Sequence, residues 1–229
     1  MILSINSAFA PVDSAGDAPS LIALSVPALL AHAKDFGSRR ILIIQGHPDA
    51  DAPHLCHALA DSYAQGAMSA GHQIRRQDVA QLDFPLLRSQ HDFESGTLPA
   101  SLLGVQTDIL WAEHLVLFFP LWAGDMPALL KGLLEQVFRP DFTGASAPHF
   151  GKHSLSGRSA RVVVTMGMPA LVYRWYFRAH SLKSLQRNLL GLVGIAPVHE
   201  TLIGLTGSMK PEDASRWLGK LKRLGLRGG

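Results

Sequence analysis

The chain has 229 residues, 47% of them hydrophobic and 17% charged, which excludes a disordered chain and leaves room for one sizeable core or one domain with extensions. A net charge of +3 gives only a weak field for anionic ligands such as nucleotide phosphates and is too small to argue for nucleic acid. One cysteine, Cys56, excludes an internal disulfide framework and a cysteine-rich metal site, so no metal is expected, and no apolar run of about eighteen residues predicts a membrane-spanning helix.

Residues 1–38 lack an early lysine or arginine, so a secretory leader is not expected there. Small residues around Ala15–Ser20 precede an apolar stretch in which Pro27 opens a short helix. We read 1–38 as an extension lying on the main domain or on a partner subunit, with a mis-assigned start site as the alternative. The main domain is 39–229.

The domain opens with four apolar residues, 41–44, the pattern of a buried parallel strand. Gln45, Gly46, His47 and Pro48 lead into Asp49–His54 and then a helix through Leu55, Leu59, Tyr63 and Met68, with Gly71 as its C-terminal stop. A helix start after the first strand is a phosphate position, because its amides point outward. Asp49 and Asp51 suit a phosphate only if they turn away or cap the helix. A protonated His54 would supply a donor. The plain reading, preferred for His57, is a partly exposed helix histidine.

Residues 74–79 form a second strand, with Arg75 and Arg76 at an exposed edge. Residues 81–99 are polar and irregular, and 98–111 give a helix with Leu102, Leu103, Val105, Gln106, Ile109 and Leu110 on its apolar face. His114 starts the third strand, whose run Leu115–Phe119 has no polar alternation and fits burial on both faces. Pro120 is expected to stop it. Leu121–Met126 is a short loop, Pro127 opens a helix, and Leu129, Leu130, Leu133, Leu134 and Val137 recur at helical spacing. Physically, that loop is either an ordinary turn with a core tryptophan or a ligand site at the carboxyl end of a strand.

Residues 139–148 are loop-like. A fourth strand at 158–165 ends in Thr165-Met166-Gly167-Met168-Pro169. Residues 172–192 read as one helix carrying Tyr173, Trp175, Tyr176 and Phe177, with Arg174 and Arg178 on one face. These basic residues are either a solvated face or a surface for cofactor phosphates, and the aromatic block is core, dimer interface or acceptor pocket. A fifth strand lies within 194–203, and Pro211 opens the last helix. Alternating strands and helices predict an α/β fold with a five-stranded parallel sheet of order 2-1-3-4-5. The turns contain no phosphate-binding G-x-x-x-x-G-K motif and no G-x-G-x-x-G, which disfavours nucleotide hydrolysis and a dinucleotide-binding sheet.

The stretch FFPLWAGDMPALLKGLLEQVF resembles the flavin-binding segment of the NAD(P)H:quinone oxidoreductases, a family of flavodoxin-like proteins. Pro120, Leu121, Pro127, Ala128, Leu130, Lys131, Gly132, Glu135, Val137 and Phe138 match it. The likeness extends more weakly over 40–207. It implies a flavodoxin-like three-layer sandwich in which flavin is held by His47, His54, Pro120, Leu121, Trp122, Ala123, Gly124, Glu135, Thr165, Met166 and Gly167. Ala52 stands where the family has serine, and Met168 replaces its second glycine. The resemblance makes Tyr173 and His180 catalytic candidates that assist hydride transfer from NAD(P)H, through flavin, to a quinone or similar acceptor. It favours FAD over FMN, a homodimer, a cytoplasmic location and no membrane insertion. Two other readings stay open: an ancillary subunit docked on a potassium efflux transporter, and a flavodoxin-like module that has lost its cofactor.

Overall fold

The third strand has every residue buried and lies at the centre of the sheet. The structure, a computed structural model, describes residues 37–140 and 155–229; residues 1–36 of the expected 1–38 extension and most of the 139–148 loop lie outside them. Among the described residues β1 (Arg40–Gln45), β2 (Gln73–Asp78), β3 (His114–Pro120), β4 (Ser159–Thr165) and β5 (Val198–Ile203) form one parallel sheet, in the order β2-β1-β3-β4-β5. The expected order is the observed one.

Side chains alternate between two cores, as the two-residue period of a strand requires. Leu42, Ile44, Leu115, Leu117, Phe119, Val162 and Val164 face one layer. That layer includes α3 (Leu103–Trp111) and α4 (Ala128–Val137). Ile41, Ile43, Val116, Phe118 and Val163 face the other. There α1 (Leu55–Ser69) packs with α7 (Pro211–Leu226). The short α2 (Gln90–Ser95) is capped by the Ser89 hydroxyl, which accepts from the Asp92 amide. Segment 82–86 lies over α4, where Gln136 Nε2 donates to the Pro85 carbonyl.

Pro120 is the last residue of β3, as expected, and it still pairs with Thr165: the following amide, on Leu121, donates to the Thr165 carbonyl at 2.7 Å. Amides alternate sides along a strand, so the one proline lacks would face β1, whose pairing with β3 has ended by Phe118. Two expectations change. Leu103 and Leu110 are exposed, so the apolar face of α3 is narrower than its sequence suggests. The run 172–192 is not one helix. It breaks into α5 (Ala170–Trp175), α6 (His180–Ser184) and a π-helical turn at Leu185–Leu190. At the break Arg178 and Ala179 adopt left-handed conformations, with φ of 53° and 47°. Arg174 and Arg178 therefore share no helical face, and Arg174 pairs with Glu200 on β5. Of the aromatic block, Tyr173 is buried, whereas Trp175, Tyr176 and Phe177 are exposed.

Candidate functional site

In a parallel sheet all carboxyl ends lie along one rim. The neighbours β1, β3 and β4 thus deliver three loops side by side, stitched at their roots. The Gly46 amide donates to the Phe118 carbonyl at 2.7 Å, Leu121 donates to Thr165, and Met166 donates to the Ile203 carbonyl at 2.9 Å.

The loop after β3 is a tight turn. Trp122 and Asp125 exchange two backbone hydrogen bonds, Trp122 N–H to Asp125 O at 2.8 Å and the reverse at 2.9 Å. Ala123 and Gly124 between them have φ of 47° and 84°. Two successive left-handed residues make the turn that reverses a chain within two positions. Its tip stands out from the rim: Ala123 and Gly124 are exposed, and Trp122 is 49% exposed. An indole left half in water at the end of a buried strand is a face free for a flat ligand.

The loop after β4 offers less than the family motif implies. The Met166 amide is committed to β5, its carbonyl accepts from Thr206, and its side chain is core. Gly167 differs. It is exposed, and a β-carbon built there meets nothing within 4 Å. Thr165, the last residue of β4, is buried and pairs with Pro120 on one side and Ile203 on the other.

The loop after β1 holds a cluster of imidazoles. His47 is 6% exposed, and its ring stacks on His54 with centroids 3.9 Å apart. His57, one turn into α1, stands 5.1 Å from His47 and 5.6 Å from His54. The Trp122 ring meets His47 edge-on at 5.8 Å, so the first and second loops touch. Asp49 closes the cluster from the loop side: its carboxylate accepts from His54 Nε2 at 2.8 Å and from the Asp51 amide at 2.9 Å. The His54 hydrogen bond is the main cause that holds the Asp49 carboxyl below its usual range. Desolvation, then the neighbouring rings, lower the basicity of both His47 and His57. The first turn of α1 carries no acidic residue and no side-chain cap, which leaves its amides turned toward this loop. Cys56 lies beneath, where burial pushes its thiol up to about 12; it is neither a nucleophile nor a ligand there.

A cavity of about 410 Å³ opens beside this loop, lined among others by His47, Asp51, His57, Arg76, Asp78 and Gln81. Asp78 and Gln81 were not singled out in the sequence, and Arg76 was expected only as a charge at an exposed strand edge. The signal for them was the strand order, which puts the end of β2 next to the end of β1. His57 is a partly exposed helix residue, as expected, and it also joins the cluster.

Other candidates fall elsewhere. The Tyr173 hydroxyl is 2.7 Å from Ser181 Oγ and accepts from the Leu182 amide, so it pins α5 to α6. His180 is exposed at the start of α6. Glu135 lies about 10 Å along α4 from its start and pairs with Lys131 at 3.1 Å. Pro120 and Leu121 form the root of the β3 loop.

The side chains present fit a flat ring carrying an anionic tail. Trp122 and Gly167 leave open surface for the ring. The start of α1 and the imidazoles supply donors for the tail, while Asp49 is engaged with its own loop and Asp51 is exposed. Among the described residues no group of three or more histidine, cysteine, aspartate or glutamate side chains is arranged to hold a metal.

Comparison with known proteins bears on the fold. The profile of a flavodoxin-like fold family matches residues 39–223. A ribosyldihydronicotinamide dehydrogenase-like protein of Penicillium crustosum is 26% identical over 155 residues, 56% of this chain and 57% of that protein. The match thus spans little more than half the length of that relative. An FMN-dependent NADH:quinone oxidoreductase of Burkholderia lata is 26% identical over 153 residues, 56% of this chain and 68% of its own. The solved NAD(P)H:quinone oxidoreductase of Methanothermobacter marburgensis superposes with a TM-score of 0.69 at 24% identity, over 83% of this chain and 96% of that one.

Proposed function

The chain belongs to the flavodoxin-like fold family, and from that premise we propose that it is a flavin-dependent NAD(P)H:quinone oxidoreductase. The observation that carries the reading is the meeting of the β1 and β3 loops at His47 and Trp122, beside the open Gly167 of the β4 loop. Relatives named for nicotinamide and quinone chemistry support it.

When bound, the flavin would supply hydride acceptance from a nicotinamide and two-electron reduction of a quinone. The chain's own residues position and shield. Trp122 covers one side of the ring site. The exposed backbone of Ala123, Gly124 and Gly167 offers polar groups to a ring edge. His47, His54 and the first amides of α1 take the phosphate. Tyr173 is not assigned a donor role, because its hydroxyl is held by Ser181 and Leu182. His180 remains the candidate proton donor to a reduced acceptor.

We propose FMN as the flavin, revising the expected FAD, because the flavin named among the relatives is FMN. We also propose a homodimer joined through the exposed face of Leu171, Trp175 and Tyr176, which are 70%, 77% and 80% exposed. A cytoplasmic location is proposed with it; no helix among the described residues is long and apolar enough to cross a membrane. Residues 39–229 are proposed as the catalytic domain and 1–38 as its extension.

Reconstitution tests the reading. The purified protein is soaked with FMN and with FAD, then assayed for NAD(P)H oxidation against a panel of quinones, with light scattering on the same samples. A yellow, quinone-dependent dimer is expected. Protein that stays colourless with both flavins sinks the enzyme and supports the cofactor-free module. Trp122→Ala and Gly167→Val test the site: each is expected to weaken FMN by about tenfold or more, a loss of about 1.4 kcal/mol. Both positions are exposed and neither substitution disturbs the core. Unchanged FMN affinity in both variants would place the ring elsewhere.

A further inference from the structure

The histidine cluster does more than mark the loop. At the position where the resemblance expects a serine this chain has Ala52, which lines the same cavity as His47 and His57. We propose that the phosphate of the bound cofactor is held by a clamp of His47, His54 and His57, and that binding takes up a proton. The proposal rests on the flavin reading above.

The geometry supports it in three ways. The rings are mutually within 5.6 Å, so a single anion at the start of α1 feels all three. His47 and His57 both line the cavity beside the loop, so a ligand entering there meets them. His54 is 34% exposed at its side chain and stacks on His47, so a second face of the cluster stays in solvent.

Desolvation and then the neighbouring rings lower the basicity of His47 and His57, against the pull of nearby carboxylates. Asp49 is hydrogen-bonded to His54. Asp51, on the same loop, is exposed, and its amide is bound to Asp49. From β2, Arg76 opposes protonation of His57 while Asp78 favours it, and Asp61 on α1 favours it too. Arg76 is itself neutralised by Asp61 and Asp78. Cys56, below the rings, stays neutral. Protonating His47 or His57 in the free protein therefore places a cation beside other imidazoles in a partly dry site. A phosphate removes that penalty by supplying the counter-charge. The balance is simple: an imidazole nitrogen gains a proton from solvent, and the imidazolium N–H donates to a phosphate oxygen. A serine hydroxyl in the same place would donate without titrating.

The test is FMN against riboflavin, which has the same ring without the phosphate. Fluorescence titrations run from pH 8.0 to pH 6.5, a range in which the phosphate stays mostly dianionic. FMN affinity is expected to rise about five- to tenfold over that interval, with riboflavin changing less than twofold. Calorimetry in two buffers of different ionisation enthalpy should show uptake of about half a proton or somewhat more with FMN and none with riboflavin. His57→Gln, which keeps a polar side chain on a half-buried position, is expected to cut the pH dependence by at least half. Tight FMN binding that is flat with pH, or without proton uptake, overturns the clamp and leaves the flavin reading standing. Binding of neither flavin at any pH overturns both. The calorimetric arm uses the unaltered protein, so it decides the matter even if the variant misfolds.

Discussion

Gly66→Ala is expected to destabilise the protein by about 3 kcal/mol or more and to lower its melting temperature by roughly 10 °C. Gly66 on α1 and Gly225 on α7 are reciprocal contact points. A β-carbon at Gly66 would stand 2.0 Å from the Lys222 carbonyl oxygen, and one at Gly225 would stand 2.1 Å from that of Tyr63. Both obstacles are backbone, which cannot rotate aside as a side chain does. The helices must separate, and separation opens the core shared by Tyr63, Ala67 and Leu221. Gly104→Ala on α3 is the control: nothing lies within 4 Å of its added carbon. Alanine there should be neutral or stabilise by up to about 1 kcal/mol through helix propensity. A Gly66→Ala melt within 2 °C of the wild type would show that the helices are not in backbone contact. The effect reaches the rim as well. α1 carries His57 and follows directly on His54, so a displaced α1 is also expected to weaken ligand binding at its start.

The elements that could be read in the sequence were those whose signal is local. β3 announces itself because a strand covered on both faces has no polar alternation, and Pro127 marks the start of α4 because proline fits a helix entrance. The strand order followed from alternating strands and helices. What could not be read depended on contacts distant in sequence. Nothing in residues 172–192 signals the break at Arg178 and Ala179, since neither is a glycine, yet both adopt left-handed backbone. Met166 sits at a variable place in the motif, between the matching Thr165 and Gly167, and its amide is spent on Ile203, a bond set by the register of β5. His57 joins the cluster only because the loop after β1 folds back over α1. The close approach of Gly66 to Lys222 joins positions more than a hundred and fifty residues apart, and composition carries no trace of it.

Acid should destabilise the fold well before its carboxylates titrate, and His114 is the reason. This residue opens β3, is 1% exposed, and uses Nδ1 with the Ser159 hydroxyl at 2.7 Å, while Nε2 is buried without a partner. Burial is the first cause that pushes its pKa down to about 3, followed by the positive charge of Arg39 and Arg161 and the nearby His199 and His72. The unfolded chain takes a proton on this imidazole below its ordinary value of 6.5, and the folded chain does not until about 3. The unfolded state thus binds more protons throughout that window, and stability falls as pH drops through it, by up to about 1.4 kcal/mol per pH unit. Between pH 7 and pH 5 the loss from this one group is about 2 kcal/mol. His47 and His57, also lowered, act in the same direction. Urea midpoints at the two pH values measure the loss. His114→Asn keeps a polar atom for Ser159 and removes the titration. It should be less stable than the wild type at pH 7 but lose about 2 kcal/mol less on going to pH 5. Equal acid sensitivity in the two proteins would mean that His114 takes up its proton inside the fold, with Arg39 and Arg161 giving way around it.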